Sequence, residues 1–287
     1  MTDRSDPGLE GVRPEGPARS TRAFVTLVTK DDFAVGARAL LRSLRLAGTD
    51  ADFVVMHTGR LSHDSLDMLR AQGARLVETD LLPTSAEFDA AHARDALHGR
   101  APFTKGTKPD FHTPLDNFAK LRLWQLDYER AVFLDADTIA LRPLDVLFDY
   151  PELCAAPNVY ESLADFHRMN SGVFTARPSS ETFDRLMEKL DRPGAFWRRT
   201  DQTFLQDAFP GWHGLPVYYN MLQLVWVNLP GLWHWPSVKL VHYQYAKPWT
   251  RDAEKMPELA PLVELWEAYA GDGPVPDLDT LPAPPGA

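Results

Sequence analysis

The run AVFLDADTIAL, residues 131–141, decides how the rest of the chain is read. Ala131, Val132, Phe133 and Leu134 have the length and composition of a buried strand, which runs straight into Asp135-Ala136-Asp137. Two carboxylates therefore stand at the carboxyl end of a strand. In an open α/β sheet that end is the crevice where ligands bind. Acids one residue apart repel each other unless a cation or hydrogen bonds compensate them. A hard divalent ion, manganese or magnesium, suits carboxylate oxygens and can hold phosphate oxygens on its other side. A solvated turn carries the same short motif often enough that the flanking chain has to decide between the two.

Composition narrows the choice. With 287 residues, 44% of them hydrophobic and 24% charged, the chain is long enough for one large α/β domain or two small ones. A net charge of −10 argues against broad contact with nucleic acid, and an anionic substrate would need local cations. The single cysteine, Cys154, cannot form an intramolecular disulfide, which fits a reducing cytoplasm. The first twenty residues contain Asp3, Asp6, Glu10, Glu15 and three prolines, so they lack the apolar core of a secretory signal. No run reaches membrane-spanning length. The expectation is a soluble, cytoplasmic protein.

Outward from the acids, residues 1–20 read as a disordered, Pro- and Gly-rich tail. Residues 23–29 form a β-branched strand, 33–46 an amphipathic helix, 53–56 a second strand, 62–73 a helix capped by Ser62 and Gly73, and 76–78 a third strand. This β-α-β-α-β order predicts parallel strands joined by right-handed crossovers. No G-x-G-x-x-G follows the first strand, which disfavours a dehydrogenase-type dinucleotide site. Residues 83–114 lack periodicity and read as a loop or active-site flap. Helices are expected at 117–126, 142–148, 180–190 and from 200, and strands at 154–156, 171–176 and 239–241. A Pro-rich tail at 272–287 leaves one domain over 21–271.

Six stretches in one order carry a family resemblance: FVTLVT (24–29), AKLRLW (119–124), VFLDADT (132–138), NSGVF (170–174), TDQTFL (200–205) and VHYQYAKPW (241–249). With PELAPLVELWEAY near the C-terminus, the chain resembles the family 8 retaining glycosyltransferases of the glycogenin and galactinol synthase type. That implies a GT-A fold: a single α/β domain with a Rossmann-like, mostly parallel central sheet and helices on both faces. It also implies a hexose moved from a UDP-sugar to a hydroxyl acceptor.

The resemblance assigns roles that chemistry can support. A departing diphosphate needs its negative charge stabilised, which a bound Mn2+ or Mg2+ supplies as a Lewis acid. Its ligands would be Asp135 and Asp137, with His242 as the family's third. Lys247 matches the lysine that contacts the diphosphate, and Lys120 one that contacts sugar or phosphate. Leu27, Val28 and Thr29 would offer backbone groups to a uracil edge, and Phe33 would stack on the base. Ala136, Asn170 and Ser171 would line the donor sugar, while Asp201 and Gln202 would orient it or steady positive charge. Ala136, which makes the motif D-A-D rather than D-G-D, leans toward glucose. Two departures stand out: the turn Tyr243-Gln244-Tyr245-Ala246 lacks the family's glycine, and Arg198 replaces an aspartate.

Retention permits either double displacement through a carboxylate nucleophile or a same-face substitution in which the leaving phosphate oxygen takes the acceptor proton. Two other classes compete. A D-x-D phosphatase usually carries its motif near the N-terminus, followed by Gly-Thr. A non-catalytic binder or self-glycosylating priming protein would use Tyr218, Tyr219, Trp226, Trp233 and Trp235 as a stacking platform, although core and interface, including a homodimer, explain these aromatics as well.

Overall fold

The computed structural model describes residues 10–93, 114–198, 200–250 and 256–286. In chain order the strands are β1 (Val12–Pro14), β2 (Arg22–Val28), β3 (Asp52–His57), β4 (Arg75–Thr79), β5 (Arg130–Leu134), β6 (Thr138–Ala140), β7 (Cys154–Pro157), β8 (Met169–Ala176), β9 (His213–Gly214), β10 (Met221–Leu222) and β11 (Leu240–His242). One sheet runs β1-β4-β3-β2-β5-β8-β7-β9, and a second runs β10-β11-β6. The centre, β4-β3-β2-β5, is parallel, as repeated strand-helix units require. β8 then reverses direction and pairs antiparallel with both β5 and β7.

Alternation along the strands sends side chains to two faces. Val25, Val54, Met56, Val77 and Phe133 pack with Phe118, Leu121, Trp124 and the helix Ser180–Leu190. On the other face Phe24, Phe53, Val55, Leu76 and Val132 pack against α1 (Ala34–Leu46) and α2 (His63–Ala71). Ser62 caps α2 by accepting the Ser65 N–H, and Gly73 takes φ 81° beyond the helix end. The sheet is therefore Rossmann-like and mostly parallel, with helices on both faces.

A third cluster joins the second sheet to the C-terminal helix Ala260–Ala270 through Ile139, Met221, Val241, Tyr243, Leu262 and Trp266. Trp226, Trp233 and Trp235 belong with it, their rings 5.1 to 5.7 Å apart. Trp226 and Trp233 are buried and Tyr218 and Tyr219 partly so, which makes this group core rather than an exposed stacking platform.

Four expectations are corrected. Residues 118–125 form a 3-10 helix, not an α-helix, after a short α-turn at Pro114–Asn117. Three residues per turn align Phe118, Leu121 and Trp124 on one core face, and every residue of the segment is buried. The supposed N-terminal tail is ordered from Glu10. Val12 is 3% exposed, β1 pairs with β4, and Arg122 donates to Glu10 O at 2.9 Å, links that a composition-based reading does not see. At the other end Val275, Leu278 and Leu281 pack on the third cluster, and Trp235 Nε1 donates to Pro282 O at 2.8 Å. Residues 1–9 of the expected tail, and 94–113 of the expected flap, lie outside the described residues. Within the rest of that loop, α3 (Ala86–His92) forms behind a Ser85 cap. No helix among the described residues is long and apolar enough to cross a membrane.

Candidate functional site

Backbone pairing assembles the site. The Asp135 N–H donates to Gly172 O at 2.8 Å, which carries the β5–β8 ladder one residue further and lays the first acid beside residues 170–172. β6 leaves the D-A-D turn and pairs with β11 so that Thr138 faces His242, and the Tyr243 N–H donates to Asp137 O at 2.8 Å. The turn is thus where one sheet hands over to the other. α1 closes over it at Gly36, where a Cβ would lie 2.5 Å from Ala136 O.

Asp135, Asp137 and His242 each offer one ligand atom, and these atoms lie within 4.8 Å of one another. His242 Nε2 is 3.3 Å from Asp137 Oδ1 and 3.9 Å from Asp135 Oδ2. No other such group of His, Cys, Asp or Glu occurs among the described residues. Two carboxylates and one imidazole form a hard to borderline donor set, which fits manganese or magnesium.

Each acid also faces an ammonium. Lys247, 3% exposed, pairs with Asp137 and donates to Tyr243 O at 2.8 Å. Lys120, equally buried, lies 3.2 Å from Asp135 Oδ1 and 2.8 Å from Asp201 Oδ2, donates to Ser171 O, and sits over the Phe133 ring. Neither is a solvated surface lysine. Burial alone would raise the Asp137 carboxyl pKa, but Lys247 and His242 outweigh it and hold the group far below the usual range. Asp201 is likewise lowered against its burial, by Lys120, Ser171 and Thr200. Burial would lower the Lys120 pKa, yet Asp135 and Asp201 raise it. Asp135 is pushed up by burial and by its neighbouring acids, in excess of what Lys120 and His242 offset.

Asp201 opens the helix Asp201–Ala208, so its place near the helix dipole and its place in the site coincide. Its carboxylate accepts from Lys120, from Ser171 Oγ at 2.7 Å and from Thr200 Oγ1 at 2.7 Å. Gln202 Oε1 accepts the Ser171 N–H at 3.4 Å. Asn170 Oδ1 accepts from Gly172 N–H and from Asn220 Nδ2, and its Nδ2 donates to Asn158. Leu27 and Val28 close β2, which is hydrogen-bonded to β5, and Thr29 follows. Phe33 packs edge-on against Trp249 at 5.5 Å, with Lys247 Nζ 5.8 Å from its ring centre. Hydrogen bonds and ion pairs thus link Lys120, Asp135, Asp137, Asn170, Ser171, Asp201, Gln202, His242 and Lys247, directly or through Gly172 and Asn220, with Phe33 beside Lys247, while Leu27, Val28 and Thr29 lie at the end of β2 and Arg198 stands exposed.

Sequence reading did not single out Asn220, Thr200 or Tyr245 in their structural roles. Asn220 is fully buried against His242. Thr200 and Tyr245 both take positive φ, 56° and 66°, rare for such residues and found where surrounding structure enforces strain. Tyr245 fills the turn that lacks the expected glycine, and its hydroxyl meets that of Tyr160 at 3.2 Å. Only a local side-chain oxygen before an apolar strand could have flagged Asn220, and that signal is too common to use.

No family model matches the sequence. Among curated proteins the chain is 29% identical over 252 residues to UDP-glucuronate:xylan alpha-glucuronosyltransferase 2 of Arabidopsis thaliana, covering 84% of this chain and 38% of that one. It is 33% identical over 238 residues to glycogenin-1 of Homo sapiens, covering 79% of this chain and 62% of that one. The chain thus spans less than two thirds of the length of either relative. Among solved structures, the apo WbbM bifunctional glycosyltransferase superposes with a TM-score of 0.59 at 16% identity, over 91% of this chain and 51% of that one. The galactosyltransferase LgtC, in complex with donor and acceptor sugar analogues, gives 0.56 at 19% identity, over 89% and 98%. These two share the fold.

Proposed function

We propose that the chain, which has the GT-A fold, is a member of family 8 of the glycosyltransferases and moves a hexose, with glucose favoured, from a UDP-sugar to a hydroxyl acceptor with retention. The observation that carries this reading is the convergence of Asp135, Asp137 and His242 between two buried lysines. The carboxylates and the imidazole would hold Mn2+ or Mg2+, which when bound supplies Lewis-acid stabilisation to a diphosphate leaving group. Lys247 is the cation for that diphosphate, and its buried stem fixes the direction of the ammonium.

Asp201 keeps its charge but not its freedom. A carboxylate that already accepts from an ammonium and two hydroxyls is a weak nucleophile and a good counter-charge. This supports the same-face route. The anomeric C–O bond to the diphosphate breaks, the acceptor oxygen bonds to the same face, and its proton passes to the departing phosphate oxygen. Asp201, with Lys120 beside it, then orients the sugar and balances oxocarbenium-like charge, while Gln202, Asn170 and Ser171 line its other edge. Leu27, Val28, Thr29 and Phe33 receive the nucleoside. Free, buried Cys154 is compatible with action in a reducing cytoplasm.

Incubation with manganese and, in turn, UDP-glucose, UDP-galactose and UDP-N-acetylglucosamine tests the reading. Release of UDP from one donor, strongest for UDP-glucose, and its loss in Asp137→Asn are the expected results. Turnover unchanged in that variant sinks the metal assignment. Intact mass of the same samples distinguishes transfer to an external acceptor from addition of hexose to the chain itself.

A further inference from the structure

We infer that Asn220 is a positioning residue that locks His242 in the tautomer whose Nε2 lone pair faces the two acids. The inference rests on the metal reading above and deepens it. Ring-nitrogen protonation is not visible directly, but a chain of hydrogen bonds anchored on an unambiguous donor fixes it. The anchor is the backbone N–H of Gly172, which can only donate, and which lies 2.9 Å from the side-chain atom of Asn170 that must therefore be oxygen. That oxygen also lies 2.8 Å from an atom of the Asn220 amide, which must then be the NH2. The other Asn220 atom is consequently oxygen, and it stands 2.8 Å from His242 Nδ1. An oxygen there requires Nδ1 to carry the proton, so neutral His242 presents its Nε2 lone pair to Asp137 and Asp135. The opposite end of the Asn170 amide agrees, with its Nδ2 donating to Asn158 Oδ1 at 2.8 Å.

Burial gives the relay force. Asn220 is 0% exposed and His242 5%, so no water competes for the bond between them, while Asn170, which orients Asn220, is half-buried. Gly172 serves twice. Besides anchoring the relay it leaves space for the ring, since a Cβ there would lie 2.7 Å from His242 Nδ1. In free histidine the proton prefers Nε2, the tautomer that would point an N–H at the site and leave no lone pair for an ion. The amide oxygen 2.8 Å behind Nδ1 favours the opposite choice, against the pull of Asp137 Oδ1 3.3 Å from Nε2, and such outer partners typically change metal affinity by about 10–100-fold.

Long-range 15N–1H NMR of 15N-histidine-labelled protein, without metal and at alkaline pH, reads the tautomer in the unaltered chain. The expected His242 pattern is a protonated Nδ1 with an unprotonated Nε2. An Nε2–H ring overturns the lock even if the protein binds manganese. In Asn220→Leu the pattern should shift toward Nε2–H, and Mn2+ affinity, followed by electron paramagnetic resonance, should fall by about 10–100-fold. Asn220→Asp keeps an oxygen behind Nδ1 and should keep the Nδ1–H tautomer. A folded Asn220→Leu that retains both tautomer and affinity overturns the proposal. Failure of the wild-type chain to bind Mn2+ at all overturns instead the metal reading on which it rests.

Discussion

At Lys120 the chain buries an ammonium and surrounds it with carboxylates from two distant segments. Removing it leaves Asp201 charged, buried and short of its main partner. Lys120→Met is therefore expected to destabilise the fold by about 3–5 kcal/mol. Adding Asp201→Asn should recover part of that loss, and urea denaturation of the four proteins of the cycle measures the coupling. Simple addition of the two single effects contradicts it. Gly172→Ala should cost about 1–3 kcal/mol through collision with the His242 ring. Gly214→Ala, where a Cβ meets nothing within 4 Å, serves as the control and should stay within about 0.5 kcal/mol. At this scale Asp135 and Asp137 were legible because an apolar strand runs straight into them, whereas a histidine after a strand is more often structural and His242 was singled out only through the family resemblance. Lys120 and Lys247 were legible only through the family resemblance, since composition alone also admits solvated lysines. Asn220 was not legible at all, because its role depends on an amide orientation set by Gly172.

Among the elements, the strand-helix alternation before the D-A-D turn could be read directly, since period-two and 3.6-residue patterns separate cleanly there. The segment Phe118–Gln125 could not. An i, i+3 apolar spacing fits an α-helix and a 3-10 helix alike, and only burial on all sides decides. α3 was hidden inside a polar stretch, and it carries a pH-dependent tie. His92 Nδ1 lies 2.9 Å from Phe88 O, and its Nε2 accepts the Trp197 N–H at 2.9 Å, so the ring is neutral as it stands. Burial lowers its pKa from the ordinary 6.5, against a smaller upward pull from the Phe88 carbonyl. Below about pH 6.5 the unfolded chain then binds more protons than the folded one, and stability falls as pH drops toward the lowered folded value. His57 is shifted in the same direction, also by burial first. Thermal melting across pH 8 to about pH 5 should show this decline, and His92→Gln should make it shallower. A slope unaltered by that substitution contradicts the assignment.

Across the whole molecule, residues 10–20 and 272–286 are structural where composition reads as tails. β1 covers the outer edge of β4, and an uncovered edge strand invites pairing with another chain. A chain beginning at Thr21 loses the burial of Val12, about 2 kcal/mol, and is expected to melt on the order of 5 °C lower. It should also self-associate, as light scattering would detect. An unchanged melting point and a monodisperse sample contradict that role for β1. The same architecture explains why acids, imidazole and lysines from distant segments meet: the D-A-D turn passes from the large sheet to the small one, and each sheet brings one wall of the site. Calorimetric titration of UDP into the wild-type chain and into Asp137→Asn, with Mn2+ and then with excess chelator, tests this centre most directly. Tight binding only for the wild-type chain with Mn2+ is the predicted result. Equal affinity for UDP in all four titrations would contradict it.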